Sequence, residues 1–225
     1  MRLSFASVVL LALAACSPKP RIEWLPDTRT PPSLGSGGQS SQMATGGLID
    51  ERLAATRDGD SFVAEQSAMY GPVTVYRIRG GAREPIVREE TVTDASIVIG
   101  TRHVWIMLTS SLESASDGRI YAAPREGGAA HLVTTSALFS GLGVVDDDAV
   151  FVTNAFSILG REHGYAWATR DEQSFELRRV SASSREQVLW KFDAACGAVY
   201  ASRDRDVLLF VQRKSTQAYA RITLP

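Results

Sequence analysis

The densest group of chemically able side chains is one stretch in the second half of the chain. It contains Arg161, Glu162, His163 and Tyr165. A histidine beside a carboxylate can transfer protons near neutral pH, and an arginine can hold an anionic group. The stretch lies in a predicted long loop, and long loops carry much of the binding and catalysis in proteins. We therefore treat these four residues as a candidate binding loop, and the alternative is an exposed, solvated loop.

Two further sets of residues have side chains that suit a metal ion. Three consecutive aspartates at 146–148 offer the oxygen ligands that calcium takes. The chain has repeated units, described below, and two of them have Arg102 and Arg205 at the corresponding positions. Arginine is not a calcium ligand, so the pattern favours a charged hairpin turn instead. The histidines are His103, His131 and His163, and their spacing along the chain is not that of metal ligands. The sequence therefore predicts no metal site.

Established catalytic motifs are missing from the sequence. The chain lacks the Gly-x-Ser-x-Gly elbow, the His-Glu-x-x-His zinc pair, the Walker loop and the EF-hand pattern. Gly141 and Gly143 resemble the start of a nucleotide-binding glycine loop. Val144 and Val145 follow them on a predicted strand, so there is no helix whose backbone amides could bind a phosphate. The sequence therefore predicts no cofactor and favours a protein that is not an enzyme.

The first fifteen residues predict a signal peptide. Met1 and Arg2 form a short positive region, and residues 3–15 are almost entirely apolar. A helix over residues 3–15 would span about 20 Å, which is short of the roughly 30 Å hydrocarbon core of a bilayer. Residues 1–15 are therefore typical of a cleaved signal peptide and not of a membrane span.

The end of this segment, Leu13-Ala14-Ala15-Cys16, resembles the lipobox of bacterial lipoproteins. The resemblance implies cleavage before Cys16, acylation of that cysteine and a lipid anchor in the cell envelope. Ser17 stands where an aspartate would hold such a protein at the inner membrane, so the resemblance also implies the outer membrane. The alternative is an ordinary secretory signal that happens to precede a cysteine.

Charge and cysteine content exclude several classes of protein. The chain has 24 Lys and Arg against 25 Asp and Glu, without a run of like charge. A nucleic-acid partner is therefore not predicted. With Cys16 assigned to lipid, Cys196 has no disulfide partner within the chain. Its small neighbours are typical of a buried cysteine, and a reactive thiol is the alternative.

Residues 16–47 predict a lipidated cysteine followed by a disordered tether. The segment is rich in Pro, Ser and Gly and has little apolar surface to bury. Trp24 and Leu25 are its bulky apolar pair, and the membrane, the domain or a partner are the possible contacts. A flexible chain of this length would place the domain about 30 Å from its anchor.

Residues 48–225 predict one nearly all-β domain. Short runs of Val, Ile, Thr, Tyr and Phe alternate with Gly, Asp and Pro, and four units of similar pattern follow one another. The first strands of the units are predicted at 48–54, 95–100, 142–146 and 197–202, and the second strands at 61–65, 103–109, 149–154 and 207–212. The third strands are predicted at 73–79, 118–124, 175–181 and 218–224, and the fourth at 85–89, 131–135 and 187–192.

Four antiparallel strands in every forty to fifty residues are typical of β-propeller blades. The chain resembles the propeller repeats of bacterial envelope proteins most clearly at residues 117–121 (DGRIY) and 124–128 (PREGG). Glycine pairs at 80–81 and 127–128 predict tight hairpins with positive φ. We therefore expect an all-β, small β-propeller-like array of about four antiparallel four-stranded units. A β-sandwich or a set of open meanders is the alternative.

The last unit lacks a fourth strand in this prediction. Residues 43–54 would supply it only by giving up the first strand of the first unit, so closure of the array within one chain stays open. The aromatic residues that fall on predicted strands are expected in the core. They are Tyr76, Trp105, Tyr121, Phe151, Trp190 and Phe210.

These features favour an envelope-anchored lipoprotein that acts as a binding or scaffold module for a protein or glycan partner. One alternative is an envelope hydrolase or lyase whose site combines residues of several blades, because such a site leaves no motif in the sequence. Another is a chain that forms part of a larger ring, completed by a second copy or by another subunit. Fold alone does not decide among them.

Overall fold

The computed structural model of the protein describes most of the chain. The described ranges are 19–25, 52–67, 71–92, 94–109, 118–136, 139–154, 173–194, 196–213 and 216–225. Every regular element within these ranges is a β-strand. No helix in them is long and apolar enough to cross a membrane.

The described strands follow the chain in sixteen segments. They are β1 (Arg21–Leu25), β2 (Arg52–Arg57), β3 (Asp60–Gln66), β4 (Val73–Arg79), β5 (Ala82–Glu89), β6 (Asp94–Ile99), β7 (His103–Thr109), β8 (Gly118–Pro124), β9 (His131–Ser136), β10 (Phe139–Val145), β11 (Asp148–Asn154), β12 (Gln173–Val180), β13 (Glu186–Ala194), β14 (Cys196–Arg203), β15 (Asp206–Arg213) and β16 (Thr216–Thr223).

These strands form four separate antiparallel sheets of four strands each. Sheet 1 has the order β2-β3-β4-β5, sheet 2 has β6-β7-β8-β9, and sheet 3 has β10-β11-β12-β13. Sheet 4 has the order β1-β16-β15-β14. The predicted all-β, propeller-like array of four units is confirmed, and the β-sandwich alternative is wrong.

Strand positions follow from the apolar pattern of the sequence. β4, β7 and β8 begin and end at the predicted residues. In β4, Val73, Val75 and Arg77 are buried, and the residues between them are partly exposed. This alternation arises because one face of sheet 1 packs on sheet 2.

Strand β7 is buried on both of its faces because sheet 2 lies between two other sheets. Val104, Ile106 and Leu108 pack toward sheet 1. Trp105 and Met107, which alternate with them, pack toward sheet 3. A strand with a sheet on either side has an apolar run where a one-sided strand would alternate.

Both glycine pairs have the predicted positive φ, but only Gly80-Gly81 forms a tight two-residue hairpin, because Gly127-Gly128 lies in a longer connection at residues 125–130. Gly80 and Gly81 have φ values of 56° and 81°. Gly127 and Gly128 have φ values of 150° and 102°. Glycine suits these turns because a side chain would be strained at positive φ.

The fourth strand of sheet 4 comes from the N-terminal part of the chain. β1 pairs antiparallel with β16, so residues 21–25 form an ordered strand within the segment predicted as a disordered tether. Ile22 and Trp24 explain this difference, because they share one face of β1. Ile22 packs on the core between sheets 3 and 4, and the Trp24 ring lies 6.0 Å from that of Trp190. Of the predicted signal peptide and tether, only residues 19–25 are described.

Three buried apolar clusters hold the sheets together, and each joins two consecutive sheets. We name these contacts the 1–2, 2–3 and 3–4 junctions. Among the strand aromatics expected in the core, Trp105 and Phe151 are fully buried and lie at the 2–3 junction. The others are partly buried, and they are Tyr76, Tyr121, Trp190 and Phe210. No buried apolar cluster among the described residues joins sheet 4 to sheet 1.

Candidate functional site

Two of the predicted sites lie outside the described residues. They are the candidate binding loop, with Arg161, Glu162, His163 and Tyr165, and the lipidation site Cys16. The structure does describe the turns that contain the aspartate run and its neighbours. We define the hairpin end as the turns that join β2 to β3, β6 to β7, β10 to β11 and β14 to β15, at residues 58–59, 101–102, 146–147 and 204–205, with their flanking residues.

Asp147 is the best-connected polar side chain of the hairpin end. Its carboxylate is 5% exposed, although it belongs to a turn. Oδ1 accepts hydrogen bonds from the backbone N–H of Arg102 at 2.7 Å and of His103 at 3.2 Å. Oδ2 accepts from Arg102 Nε at 3.1 Å and lies 2.7 Å from His103 Nδ1. Asp147 therefore links the turn of sheet 3 to the turn of sheet 2.

Local backbone geometry places this carboxylate. Asp146 and Asp147 have φ values of 50° and 70°, in the left-handed region that aspartate tolerates better than most residues. Gly100 supplies the space on the other side. A Cβ at Gly100 would lie 2.5 Å from Asp147 Oδ1, so a larger residue there would push the carboxylate away.

The pKa of Asp147 is lowered by its hydrogen bonds. Burial of the carboxyl acts to raise this pKa, but the bonds from the Arg102 backbone and from His103 outweigh burial. The carboxylate is therefore ionised at neutral pH and can only accept. His103 Nδ1 must then donate to it.

The histidines do not form one site in the described part of the chain. His103 is held by Asp147, and its ring lies 6.2 Å from Trp105, whose indole N–H donates to the Asp147 carbonyl. His131 Nε2 donates to the Ala182 carbonyl at 2.7 Å, and His163 is outside the described residues. Within the described ranges, no three His, Cys, Asp or Glu side chains gather as metal ligands do.

Arg125 connects sheets 1 and 2 at the hairpin end. Its Nε and Nη2 atoms donate to Asp60 Oδ2 at 3.0 and 2.9 Å. The same guanidinium donates to the carbonyls of Arg57, Gly100 and Thr101. Burial acts to raise the pKa of Asp60, but the bonds from Arg125 and then Arg79 lower it.

Sheets 3 and 4 are joined by charges at the same end. Arg179 Nε donates to Asp148 Oδ2 at 2.8 Å, and its Nη2 lies 3.8 Å from Asp146 Oδ2. Asp146 Oδ2 also lies 3.8 Å from Arg205 Nε in the turn of sheet 4. The aspartate run at 146–148 therefore contacts arginines or histidines of three sheets. This is a charged turn, as its sequence predicted.

A buried arginine forms a second polar connection between sheets 1 and 2. Arg77 is 2% exposed, and its Nη2 donates to the Pro124 and Gly128 carbonyls at 2.5 and 3.3 Å. Nη1 binds Glu84 Oε2 at 2.8 Å. Sequence reasoning missed Arg77, although its place in the alternation after Val73 and Val75 marks it as an inward-facing position.

Two further carboxylates, away from the turns, have hydrogen-bond partners. Glu89 accepts hydrogen bonds from the Tyr121 hydroxyl and from Arg119. Burial, and then this bond to Glu89, raises the pKa of Tyr121 to about 12, so the phenol remains a donor at physiological pH. Glu176 is 4% exposed, and the bond from Lys191 lowers its pKa against the effect of burial.

The described polar groups are therefore used mainly to hold the sheets in place. Carboxylates and arginines of the hairpin end form hydrogen bonds across the 1–2 and 2–3 junctions and an ion pair across the 3–4 junction. Arg125 and Glu176 were not singled out from the sequence. The partners of Arg125 lie far away along the chain, and those of Glu176 include a residue of the next strand, so no local spacing marks either residue.

Comparison with known proteins matches no protein family, no curated protein and no solved structure.

Proposed function

We propose that this protein is an envelope lipoprotein, anchored by lipid on Cys16 at the outer membrane, whose four-sheet domain is a binding or scaffold module for a protein or glycan partner. The observation that carries the proposal is the set of polar bonds at the hairpin end. Arg125, Asp147 and Asp146 use their charges for contacts between sheets.

Such bonds favour a rigid platform. A scaffold held in one geometry presents its loops to a partner at a low entropic cost, and rigid elements position binding groups more accurately than isolated loops do. The candidate binding loop at Arg161, Glu162, His163 and Tyr165 would be carried on sheet 3, because it falls between β11 and β12. Its role in binding stays a prediction.

The anchor is tested by intact mass measurement of the mature protein. We expect a chain that begins at Cys16 and carries the added mass of acyl groups. Cys16→Ala is expected to leave the protein unprocessed or to release it from membranes, because the acyl chains supply the membrane affinity. A mature protein with an unmodified Cys16 thiol would contradict the anchor, whatever the domain binds.

The binding role is tested by crosslinking the full lipoprotein in its native envelope and identifying the captured molecule. We expect one dominant protein or glycan partner. Replacing Arg161, Glu162, His163 and Tyr165 together by alanine should reduce its capture at least about tenfold, which corresponds to about 1.4 kcal/mol of binding energy. The matched control is Leu132→Ala on β9, a residue that is 48% exposed and lies outside that loop. Equal capture by both variants would show that the loop does not contribute to binding. Absence of any specific partner would contradict the binding role.

One observation favours a second candidate, an envelope hydrolase or lyase. A buried carboxylate that holds a histidine at Nδ1 is the arrangement that orients a general base, and Asp147 holds His103 in this way. His103→Gln preserves the approximate size of the side chain and removes the base. If the wild-type protein turns over glycoside or ester substrates and this variant does not, the result supports an enzyme that uses His103. If the variant keeps the activity, His103 is excluded as the base.

A further inference from the structure

β1 is the described strand that lies nearest along the chain to the predicted lipid anchor. Its first residue, Arg21, is five residues after Cys16. An extended chain spans at most about 3.6 Å per residue, so Cys16 and Arg21 lie no more than about 18 Å apart. A flexible tether through residue 47 would allow about 30 Å. β1 shortens the link because it is already part of sheet 4.

This link is short relative to the domain that it holds. A compact domain of about 180 residues has a radius of gyration of about 16 Å. A link of similar length leaves little room between the domain and the bilayer that holds its anchor. The edge of sheet 4 at β1 is therefore the part of the domain that lies closest to that bilayer.

Trp24 is a large apolar side chain that β1 exposes at this edge. It is 41% exposed. Its ring meets that of Trp190 in sheet 3 edge to face at 6.0 Å, and Trp190 stacks on Phe192 at 4.7 Å. A row of rings thus holds the indole in place, so docking through Trp24 would cost little side-chain entropy.

The exposed side chains beside Trp24 suit lipid headgroups. Tryptophan is enriched where bilayers meet water, because its ring is apolar and its N–H is polar. Lys19 and Arg21 are exposed, as is Glu23, and residues 19–25 carry one net positive charge. Lysine and arginine near a bilayer are attracted to anionic headgroups. We name Lys19, Arg21 and Trp24 the anchor edge.

The backbone of β1 limits how deeply this edge can enter a bilayer. Among the described strands, β1 has one neighbour, β16. Unpaired N–H and C=O groups at the edge of a sheet are not tolerated in hydrocarbon, whereas water and headgroups can bind them. The anchor edge is therefore suited to the headgroup region, with the indole alone at the boundary with the acyl chains.

We propose that the anchor edge docks on the bilayer that holds the acyl chains of Cys16, with Trp24 at the boundary between headgroups and acyl chains. This inference rests on the proposed lipid anchor. The short link keeps the edge near the surface, and the Trp24 contact then sets the orientation of the domain. Because sheet 4 shares a core with sheet 3, the domain takes that orientation as one platform.

The test places the mature lipoprotein in vesicles of phosphatidylethanolamine and phosphatidylglycerol whose acyl chains carry bromine just below the headgroups. Bromine quenches tryptophan fluorescence only near contact, so we expect weaker emission than in the same lipids without bromine. Trp24→Phe should remove most of this quenching, whereas Trp105 is fully buried and should contribute none. Trp167→Phe is the matched control, because it removes a tryptophan far along the chain from Cys16, and it should leave the quenching in place.

A second variant lengthens the link and leaves Trp24 unchanged. A flexible Gly-Ser insertion of about thirty residues between Pro18 and Lys19 lets the domain move about 30 Å from its anchor. Quenching should fall at least about twofold, because the effective concentration of the bilayer at the anchor edge falls as the linker grows. Circular dichroism and thermal unfolding establish that each variant is folded before its fluorescence is interpreted.

The possible failures are distinguishable. An unmodified Cys16 thiol, with no partition into vesicles, would overturn the anchor and this docking together. An acylated chain that is bound to vesicles, but whose Trp24 is not quenched, would overturn the docking alone. Quenching that the insertion leaves unchanged would overturn the role of the short link.

Discussion

Sheets 1 and 2 add arginine hydrogen bonds to their apolar junction, whereas sheets 3 and 4 meet through aromatic rings and closely approaching backbones. At the 1–2 junction, Arg77 and Arg125 donate to carbonyls of the neighbouring sheet. Each guanidinium has several donors in a planar fork, so one side chain can bind several acceptors. The 1–2 junction therefore depends on hydrogen-bond geometry as well as on apolar packing.

The 3–4 junction depends on shape. The Trp24 ring of sheet 4 lies 6.0 Å from the Trp190 ring of sheet 3, and a Cβ at Gly197 of sheet 4 would lie 2.8 Å from the Phe192 ring of sheet 3. A Cβ at Gly141 would lie 2.6 Å from the Val199 backbone nitrogen and closer still to its carbonyl oxygen. Repeats of the same pattern thus supplement apolar packing in two ways, one with arginine hydrogen bonds and the other with close contacts that are sensitive to added volume.

The largest effect is expected from Gly141→Ala at the 3–4 junction. Gly141 has a φ of 70°, and its added Cβ would collide with backbone atoms, which cannot move aside as a side chain can. We expect a loss of at least about 3 kcal/mol in the free energy of unfolding, or failure to fold. Chemical denaturation measures this loss.

Gly59→Ala is the control for that substitution. Gly59 has a φ of 85°, but a Cβ added there would meet no atom within 4 Å. Only backbone strain should remain, at about 1 kcal/mol. Equal losses in the two variants would mean that close packing does not hold the 3–4 junction.

The next largest effect is expected from Arg77→Met at the 1–2 junction. Methionine fills a similar volume but leaves the Pro124 and Gly128 carbonyls without this donor inside the junction. We expect a loss of about 2 kcal/mol in the free energy of unfolding. Arg79→Met is the control on the same strand, where the arginine side chain is 55% exposed and should matter less. A neutral Arg77→Met would show that the arginine is replaceable by apolar packing.

A smaller, pH-dependent effect is expected from Asp147→Asn at the 2–3 junction. The folded-state pKa of Asp147 is below its ordinary value of 3.8, so its contribution is fully present above that pH and is lost as the pH falls through the folded pKa. We expect the variant to lose about 1–2 kcal/mol near neutral pH. The difference in the free energy of unfolding between variant and wild type should shrink in acid. A difference that stays constant with pH would contradict a stabilising role for the ionised Asp147 carboxylate.

The smallest effect is expected from Arg88→Ala on sheet 1. Arg88 Nε lies 3.2 Å from Glu90 Oε1, and the two side chains are 65% and 74% exposed. Water competes for both charges, so the free energy of unfolding should change by less than about 0.5 kcal/mol. Thermal unfolding at low and high salt checks this. A larger loss would mean that surface charges stabilise sheet 1 as much as the buried Arg77 does.

Much of the fold was predictable because strand signals are local. Alternating apolar residues placed β4 and β8, and the Gly80-Gly81 pair placed the hairpin between β4 and β5. β1 was not predicted, because Arg21–Leu25 is short and lies in a segment whose average composition is that of a linker. Its formation depends on β16, which is almost two hundred residues away along the chain.

The polar connections were less predictable than the strands. The aspartate run at 146–148 indicated a charged turn, and the structure contains one. Its partners Arg102 and His103 were visible in the sequence, but they are 45 and 44 residues from Asp147. Hydrogen bonds between residues so far apart have no periodicity, so only the packing of sheet 2 on sheet 3 brings them together.

By itself, the sequence determined the class of the fold, the number of units and the place of nearly every strand. These features follow from side-chain size, alternation and the freedom of glycine, which act over a few residues. The tertiary structure decided which sheets share a core, how β1 completes sheet 4 and which charges meet at the hairpin end. Those outcomes depend on burial and on distances between remote residues, which the order of amino acids does not express locally.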